Sequence, residues 1–148
     1  MKGWYGESAR HSLAARGITY LYHGTTTIPL RNIKKKGLII KNPVRFFEGS
    51  GNYIYFMEDE DSALQWADIN LPGTRPGPID VYEGFTEEEL KSVDMVLLRV
   101  KKKDIRKIGG KIEELGYEEL VDGIEVRVDV DIPPDMIEIW NGKWESLT

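Results

Sequence analysis

The sequence predicts an α+β domain. Three observations carry that expectation: strand-like runs of aromatic and branched residues recur from Thr19 to Trp140, short helical stretches end at glycines, and helices fall mostly early while strands fall mostly late. The chain has 148 residues, 41% of them hydrophobic, enough to enclose one real core. Residues 1–18 read as a helical extension and residues 19–148 as a single domain.

Glu7 to Arg16 predicts a short helix ended by Gly17, with Trp4, Tyr5 and Leu13 able to dock it. Thr19 to His23 reads as a strand that stops at Gly24-Thr25. Thr27 as N-cap and Pro29 in the first turn then open a helix that runs to Lys36 and closes at Gly37. Leu30 and Ile33, with Leu38 and Ile39 after them, are expected to face inward. Lys34-Lys35-Lys36 reads as a solvated last turn favoured by the helix dipole.

Asn42 to Gly51 is loop-like, and Asn52 to Met57 has strong strand character. Period-two geometry puts Tyr53, Tyr55 and Met57 on a more polar side that borders a cleft, and Ile54 and Phe56 in the core. The acids Glu58 to Asp61 open a helix through Ala63, Leu64, Trp66 and Ala67 and are too clustered to read as catalysts. Asn70 to Gly84 holds six prolines and glycines and reads as an irregular loop. Thr86 to Leu90 predicts a capped helical turn, Asp94 to Val100 a buried strand, Gly123 to Val130 another, and Met136 to Trp140 a last strand after a Pro133-Pro134 turn.

Composition narrows the function. A net charge of −5 argues against strong non-specific binding to nucleic acid, which depends on many cations neutralising phosphates. The absence of cysteine removes disulfides, thiolate zinc sites and cysteine nucleophiles, and fits a reducing, cytoplasmic setting. No run approaches the roughly 18 apolar residues of a membrane span, and Met1 to Glu7 lacks a signal-peptide core. Richness in Lys and Glu fits a thermophile, although it also occurs elsewhere. There is no phosphate-binding lysine loop, no dinucleotide glycine fingerprint and no HExxH, and two histidines without cysteine predict no metal centre. What remains is a site built from His23, tyrosines and a carboxylate.

His23-Gly24-Thr25 on a strand, Ile33 with Lys36-Gly37-Leu38, the run Tyr53-Ile54-Tyr55-Phe56, and a helix over Ala63 to Ala67 resemble the core of the ADP-ribosyltransferase superfamily. The resemblance is to its histidine-tyrosine-glutamate branch, which includes the poly(ADP-ribose) polymerases. Gly123-Ile124-Glu125-Val126-Arg127-Val128, then Ile132-Pro133-Pro134-Asp135-Met136-Ile137, resembles the ending of DNA-targeting members that act as toxins. Together these motifs run from about Thr19 to Trp140.

The resemblance implies a split β-sheet with short flanking helices and mono-ADP-ribosyl transfer from NAD. It implies that His23 bonds the adenosine ribose, that the Gly24 backbone holds the nicotinamide amide, and that Tyr55 stacks on the nicotinamide. Thr25 and Tyr53 would join them in binding NAD, and Glu125 would act as the catalytic carboxylate. Two residues before that glutamate, where this chain has Gly123, family members that modify arginine carry glutamate and several that modify Rho proteins or asparagine carry glutamine, so an arginine or asparagine acceptor is disfavoured. The acceptor itself, whether protein, nucleic acid or small molecule, is left open. Arg99 and Arg127 are expected to end in solvent or ion pairs.

RNA 2′-phosphotransferases are similar in carrying H-G-T before a helix that ends in G-L, but only 22 residues precede His23 and their second-motif arginines are not evident between Gly37 and Tyr55. A non-catalytic NAD- or ADP-ribose-binding module is the alternative of a different class.

Overall fold

The structure, a computed structural model, describes residues 19–40, 53–73 and 82–148. The helix expected over Glu7 to Arg16 and the loop expected over Asn42 to Gly51 lie outside these residues, as do 74–81 of the second loop. The described chain forms β1 (Tyr20–Thr26), α1 (Thr27–Lys36), β2 (Ile54–Met57), α2 (Glu60–Ile69), α3 (Glu87–Lys91), β3 (Met95–Lys101), α4 (Lys102–Lys107), β4 (Ile112–Glu118), β5 (Gly123–Val128), β6 (Ile137–Trp140) and β7 (Trp144–Ser146). All seven strands join one antiparallel sheet in the order β4-β5-β2-β1-β3-β6-β7.

The sheet is therefore connected, yet one seam is thin. β1 pairs with β3 along its full length, from Tyr20 opposite Lys101 to Thr26 opposite Met95, whereas β1 meets β2 only where Tyr22 faces Met57. β2 continues instead along β5, with Tyr55 opposite Arg127 and Met57 opposite Glu125. The two halves of the sheet thus part within one residue of His23.

Each face of the sheet carries its own core. Leu21, Ile54, Phe56, Leu98, Val100, Val126 and Val128 pack beneath α1 and α4 through Leu30, Ile33 and Ile105. Each fully buried aliphatic or aromatic side chain of this kind stabilises the fold by about 1.5–3 kcal/mol relative to exposure. Tyr22, Met57 and Leu97 on the opposite face lie under α2 through Ala63, with Trp66, Trp140 and Trp144 at the margin. Being covered on both faces, β3 is buried from Val96 to Val100, and its apolar run does not alternate.

Several local details depart from expectation. β1 does not stop at Gly24-Thr25 but runs through Thr26, because β3 supplies partners that far. Thr26, not Thr27, is the N-cap of α1; the Thr27 hydroxyl instead accepts from the Asp94 amide at 3.2 Å. Ile39 is exposed: Leu38 turns inward to exchange backbone hydrogen bonds with Ile132, which sends its neighbour outward. Met57 is buried beneath α2 and, as its side of β2 implies, also borders a cavity that Tyr55 lines. Elements α4, β4 and β7 had no expected counterpart, whereas the α-helices of the described residues all precede β4 and the last four strands follow them, as expected.

Glycines set two close approaches. A Cβ on Gly24 would lie 1.7 Å from the Ala63 carbonyl oxygen, so α2 rests directly on the backbone of β1. A Cβ on Gly123 would lie 1.9 Å from Ser62 Oγ. That hydroxyl is fixed by Asp59, the N-cap of α2, whose carboxylate accepts from both the Ser62 amide and its hydroxyl at 3.1 and 2.7 Å. Among the described residues, no helix is long and apolar enough to cross a membrane.

Candidate active site

Where β1 and β2 part, a side chain takes over from the missing ladder. His23 Nδ1 lies 2.8 Å from the Tyr55 carbonyl oxygen. A carbonyl only accepts, so Nδ1 carries the proton and the neutral ring keeps a lone pair on Nε2. Burial lowers the His23 pKa, outweighing the Tyr55 hydrogen bond that raises it, so the ring is held neutral at physiological pH. An edge contact with Phe56, centroids 5.6 Å apart, fixes its orientation. The result is a hydrogen-bond acceptor beside the thin β1–β2 seam.

A cavity of about 250 Å³ opens there, lined by His23, Gly24, Tyr55, Trp66, Asn70 and Glu125 among others. His23 and Tyr55 also border a larger cavity of about 840 Å³ on the α1 side, together with Thr25, Tyr53 and the cations Arg31, Lys35 and Lys36. The two cavities share His23 and Tyr55 as lining residues, and the larger lies within the range of about 300–1,000 Å³ usual for small-molecule sites. The smaller has a carboxylate, Glu125, in its lining and the larger has three cations.

All six residues singled out from the sequence border one or both of these cavities. His23 and Tyr55 line both, Gly24 and Glu125 the smaller, and Thr25 and Tyr53 the larger. The Tyr53 ring has one face taken by the Arg127 guanidinium, 3.9 Å from its centroid, and meets Tyr55 at 63°. Tyr53 therefore props Tyr55 as well as bordering the cleft. Gly24 has a structural reason to be glycine, the contact with α2, independent of any ligand.

Glu125 sits on β5 opposite Met57, and its pKa is raised by burial first and by the nearby Glu118 carboxylate second. A carboxylate with raised proton affinity, beside an opening that admits a ligand, is suited to taking up or sharing a proton. Arg99 and Arg127 both end in ion pairs, Arg99 with Glu138 at 2.7 Å and Arg127 with Glu113 at 2.6 Å, as expected of them.

Trp66 and Asn70 are lining residues that sequence reasoning did not pick out. They are four apart, Trp66 on α2 and Asn70 at its C-cap, about one helical turn, and that spacing was the signal available. Asn70 is held at the helix end: its side-chain amide donates to the Trp66 carbonyl at 2.9 Å, and its own carbonyl accepts from the Tyr82 hydroxyl at 2.6 Å. Having given its only proton to Asn70, the Tyr82 oxygen accepts from Thr26 Oγ1 at 2.7 Å. Tyr82 thus clasps the end of α2 to the end of β1. No group of three or more acids or histidines placed to hold a metal occurs among the described residues. No known family model matches the chain, and no curated protein matches it.

Proposed function

We propose that the chain is an NAD-dependent mono-ADP-ribosyltransferase, cleaving NAD⁺ between ribose and nicotinamide and passing ADP-ribose to an acceptor. The observation that carries this reading is the convergence of His23 and Gly24 from β1, Tyr55 from β2 and Glu125 from β5 on one cavity at the split in the sheet. The residues are distant in sequence, and the histidine-tyrosine-glutamate resemblance assigns them to one reaction.

Chemical fit supports it. His23 offers Nε2 as an acceptor for a ribose hydroxyl, Tyr55 a ring for a flat heteroaromatic group, and Glu125 a carboxylate beside them. Arg31, Lys35 and Lys36 line the larger cavity, which His23 and Tyr55 also border, and their positive charge suits a diphosphate. In the reaction, the C1′–N bond breaks with its electron pair leaving on neutral nicotinamide, while the acceptor's nucleophile bonds C1′ and gives up a proton. Glu125 stabilises the oxocarbenium-like charge, in whose field its raised pKa falls, and receives or relays the acceptor's proton. His23, Tyr55 and the Gly24 backbone orient the reactant, and pre-organisation of this kind lowers a barrier by several kcal/mol.

The test is incubation with NAD⁺ labelled in the adenylate moiety, following nicotinamide release and transfer of label. Wild type is expected to release nicotinamide and Glu125→Ala to fall to background. Equal background release by both proteins defeats the enzyme reading. Binding of NAD⁺ that weakens in His23→Ala without any turnover would make the chain a binding module.

A further inference from the structure

We propose that Tyr82 is a positioning residue of the candidate site: its hydroxyl, shared between Thr26 and Asn70, sets the spacing of the end of α2 from β1, and with it the fit of NAD⁺. This deepens the transferase reading and rests on it for the ligand. β1 contributes His23 and Gly24 to the smaller cavity, and α2 with its C-cap contributes Trp66 and Asn70. Gly24 limits how near the two elements come, since a Cβ there would meet the Ala63 carbonyl and the Ala67 amide. Steric contact sets a least distance only. Ala67 is the last buried residue of α2, and Asp68, Ile69 and Asn70 are half-buried or exposed, so core packing does not reach the helix end. Tyr82 ties that end down, accepting from Thr26 Oγ1 at 2.7 Å and donating to the Asn70 carbonyl at 2.6 Å.

Thr26 is diverted from another task to make this link. It is the N-cap of α1, a position whose hydroxyl ordinarily accepts from the second or third amide of the helix. The third residue is Pro29, which has no N–H, and Thr26 makes no side-chain cap bond at all. Thr26 is 1% exposed, and its hydroxyl is committed to Tyr82. Because the Asn70 carbonyl only accepts, the two bonds run in one direction, from Thr26 to Tyr82 to Asn70. Tyr82→Phe interrupts both, whereas Thr26→Val breaks the tie to β1 without costing α1 a cap.

The same turn of chain reaches the larger cavity. The Tyr82 carbonyl accepts from the Phe85 amide at 3.2 Å, closing a turn in which Gly84 takes φ 86, a value that favours glycine. Phe85 lines the larger cavity together with Arg31, whose guanidinium lies 6.0 Å from its ring centroid. One four-residue turn therefore holds a wall of the smaller cavity with its first residue and lines the larger with its last. Neither Trp66 nor Asn70 stands on the strand of Glu125, so releasing them weakens the hold on the ligand more than it disturbs the carboxylate. The expected signature is a change in KM with little change in kcat.

The experiment combines NAD⁺ kinetics, NAD⁺ affinity by calorimetry and ligand-free amide exchange by NMR on the full chain. Tyr82→Phe and Thr26→Val are each expected to raise KM by about three- to tenfold with kcat within about twofold, and the double variant to raise it no further than Tyr82→Phe. Exchange at the Asn70 and Leu71 amides should quicken about tenfold in Tyr82→Phe. Ser92→Ala, which removes a 2.7 Å bond from a hydroxyl to a carbonyl on α3, should change neither quantity. A merely structural loss would deplete active molecules, lowering kcat and leaving KM; melting temperatures verify that each variant folds. Unchanged KM and affinity in Tyr82→Phe, or a further additive loss in the double variant, overturns the proposal. Nicotinamide release by wild type with KM indifferent to Tyr82 removes the positioning role and leaves the enzyme. Weaker NAD⁺ binding and faster Asn70 exchange in Tyr82→Phe, with no release by wild type, does the reverse. Wild type that neither binds nor consumes NAD⁺ overturns both.

Discussion

The imidazole of His23 donates from Nδ1 to the carbonyl of Tyr55 at 2.8 Å, at the point where β1 and β2 stop pairing. One hydrogen bond therefore has two consequences: it ties β1 to β2 where their backbone pairing ends, and it fixes the tautomer that leaves Nε2 as an acceptor. On the proposed function, structural and ligand-binding roles of this histidine are joined in one ring, and they are separable by substitution.

His23→Ala leaves the partly buried Tyr55 carbonyl without its donor, a loss of about 1–3 kcal/mol in urea unfolding. It should also raise KM for NAD⁺. His23→Asn, if its amide reaches the same carbonyl, should recover part of the stability without recovering KM. Equal recovery of both would mean that Nε2 takes no part in binding.

Stability should respond to pH through the same ring. Its native pKa is lowered by burial, so between that value and the unfolded value of about 6.5 the unfolded chain binds more protons. Stability is full above about pH 6.5 and is lost as pH falls through the lowered native pKa. Paired denaturation curves of wild type and His23→Ala should show this slope in wild type only.

The contact between Gly24 and α2 predicts a large effect from one methyl group. Because the obstructing atom is the Ala63 backbone oxygen, Gly24→Ala cannot be relieved by a rotamer change and should cost about 3 kcal/mol or more. Gly142, with positive φ but nothing within 4 Å of a Cβ, should cost only about 1 kcal/mol on the same change. Because α2 carries Trp66 and Asn70, residual Gly24→Ala protein should also bind NAD⁺ poorly.

The legible parts of this chain were those where local pattern and tertiary environment agree. Ile54 and Phe56 alternate with Tyr53 and Tyr55, and the sheet buries the first pair and leaves the second at the cleft. Glycine after Lys36 ends α1 because Gly37 adopts φ 82 and its Cβ would collide with Ile132. Elements α4 and β4 escaped because nothing local marks them. Lys102–Lys107 contributes one buried side chain, Ile105, and Ile112–Glu118 is an exposed edge strand rich in glutamate, a residue that strands disfavour. The site's three chemical types were readable as motifs, whereas Trp66 and Asn70 depend on how α2 crosses β1, a relation fixed by Gly24 and Ala63 rather than by periodicity.

Arg99 tests how an ion pair is worth more when enclosed. Its guanidinium lies 3.8 Å from the Tyr20 ring centroid and 4.2 Å from that of Trp144, and its side chain is almost fully buried beside Glu138. Arg99→Ala removes both stacking partners' cation and leaves Glu138 without its arginine; unfolding free energy should fall by about 2–3 kcal/mol. Arg99→Lys should recover less than half, because an ammonium cannot lie flat between two rings. The exposed pair of Arg127 with Glu113 should contribute less than Arg99 with Glu138 in double-mutant cycles.

Glu125 should show opposed effects on activity and stability. Its native pKa is raised, so the fold disfavours the charged carboxylate that the proposed reaction uses. Below the unfolded value of about 4.3 both states hold the proton and Glu125 costs nothing; as pH rises through the raised native pKa, the unfolded chain sheds its proton more readily and wild type loses stability. Glu125→Gln, neutral throughout, should therefore melt higher than wild type at neutral pH and no higher near pH 4. Its rate of nicotinamide release should fall by about 100-fold or more. In wild type the acidic limb of that rate should sit above the ordinary carboxylate range. Glu118→Gln should move the limb downward, because the neighbouring charge that helps to raise the Glu125 pKa is gone. A limb that stays in place after Glu118→Gln would show that burial alone sets the proton affinity of Glu125.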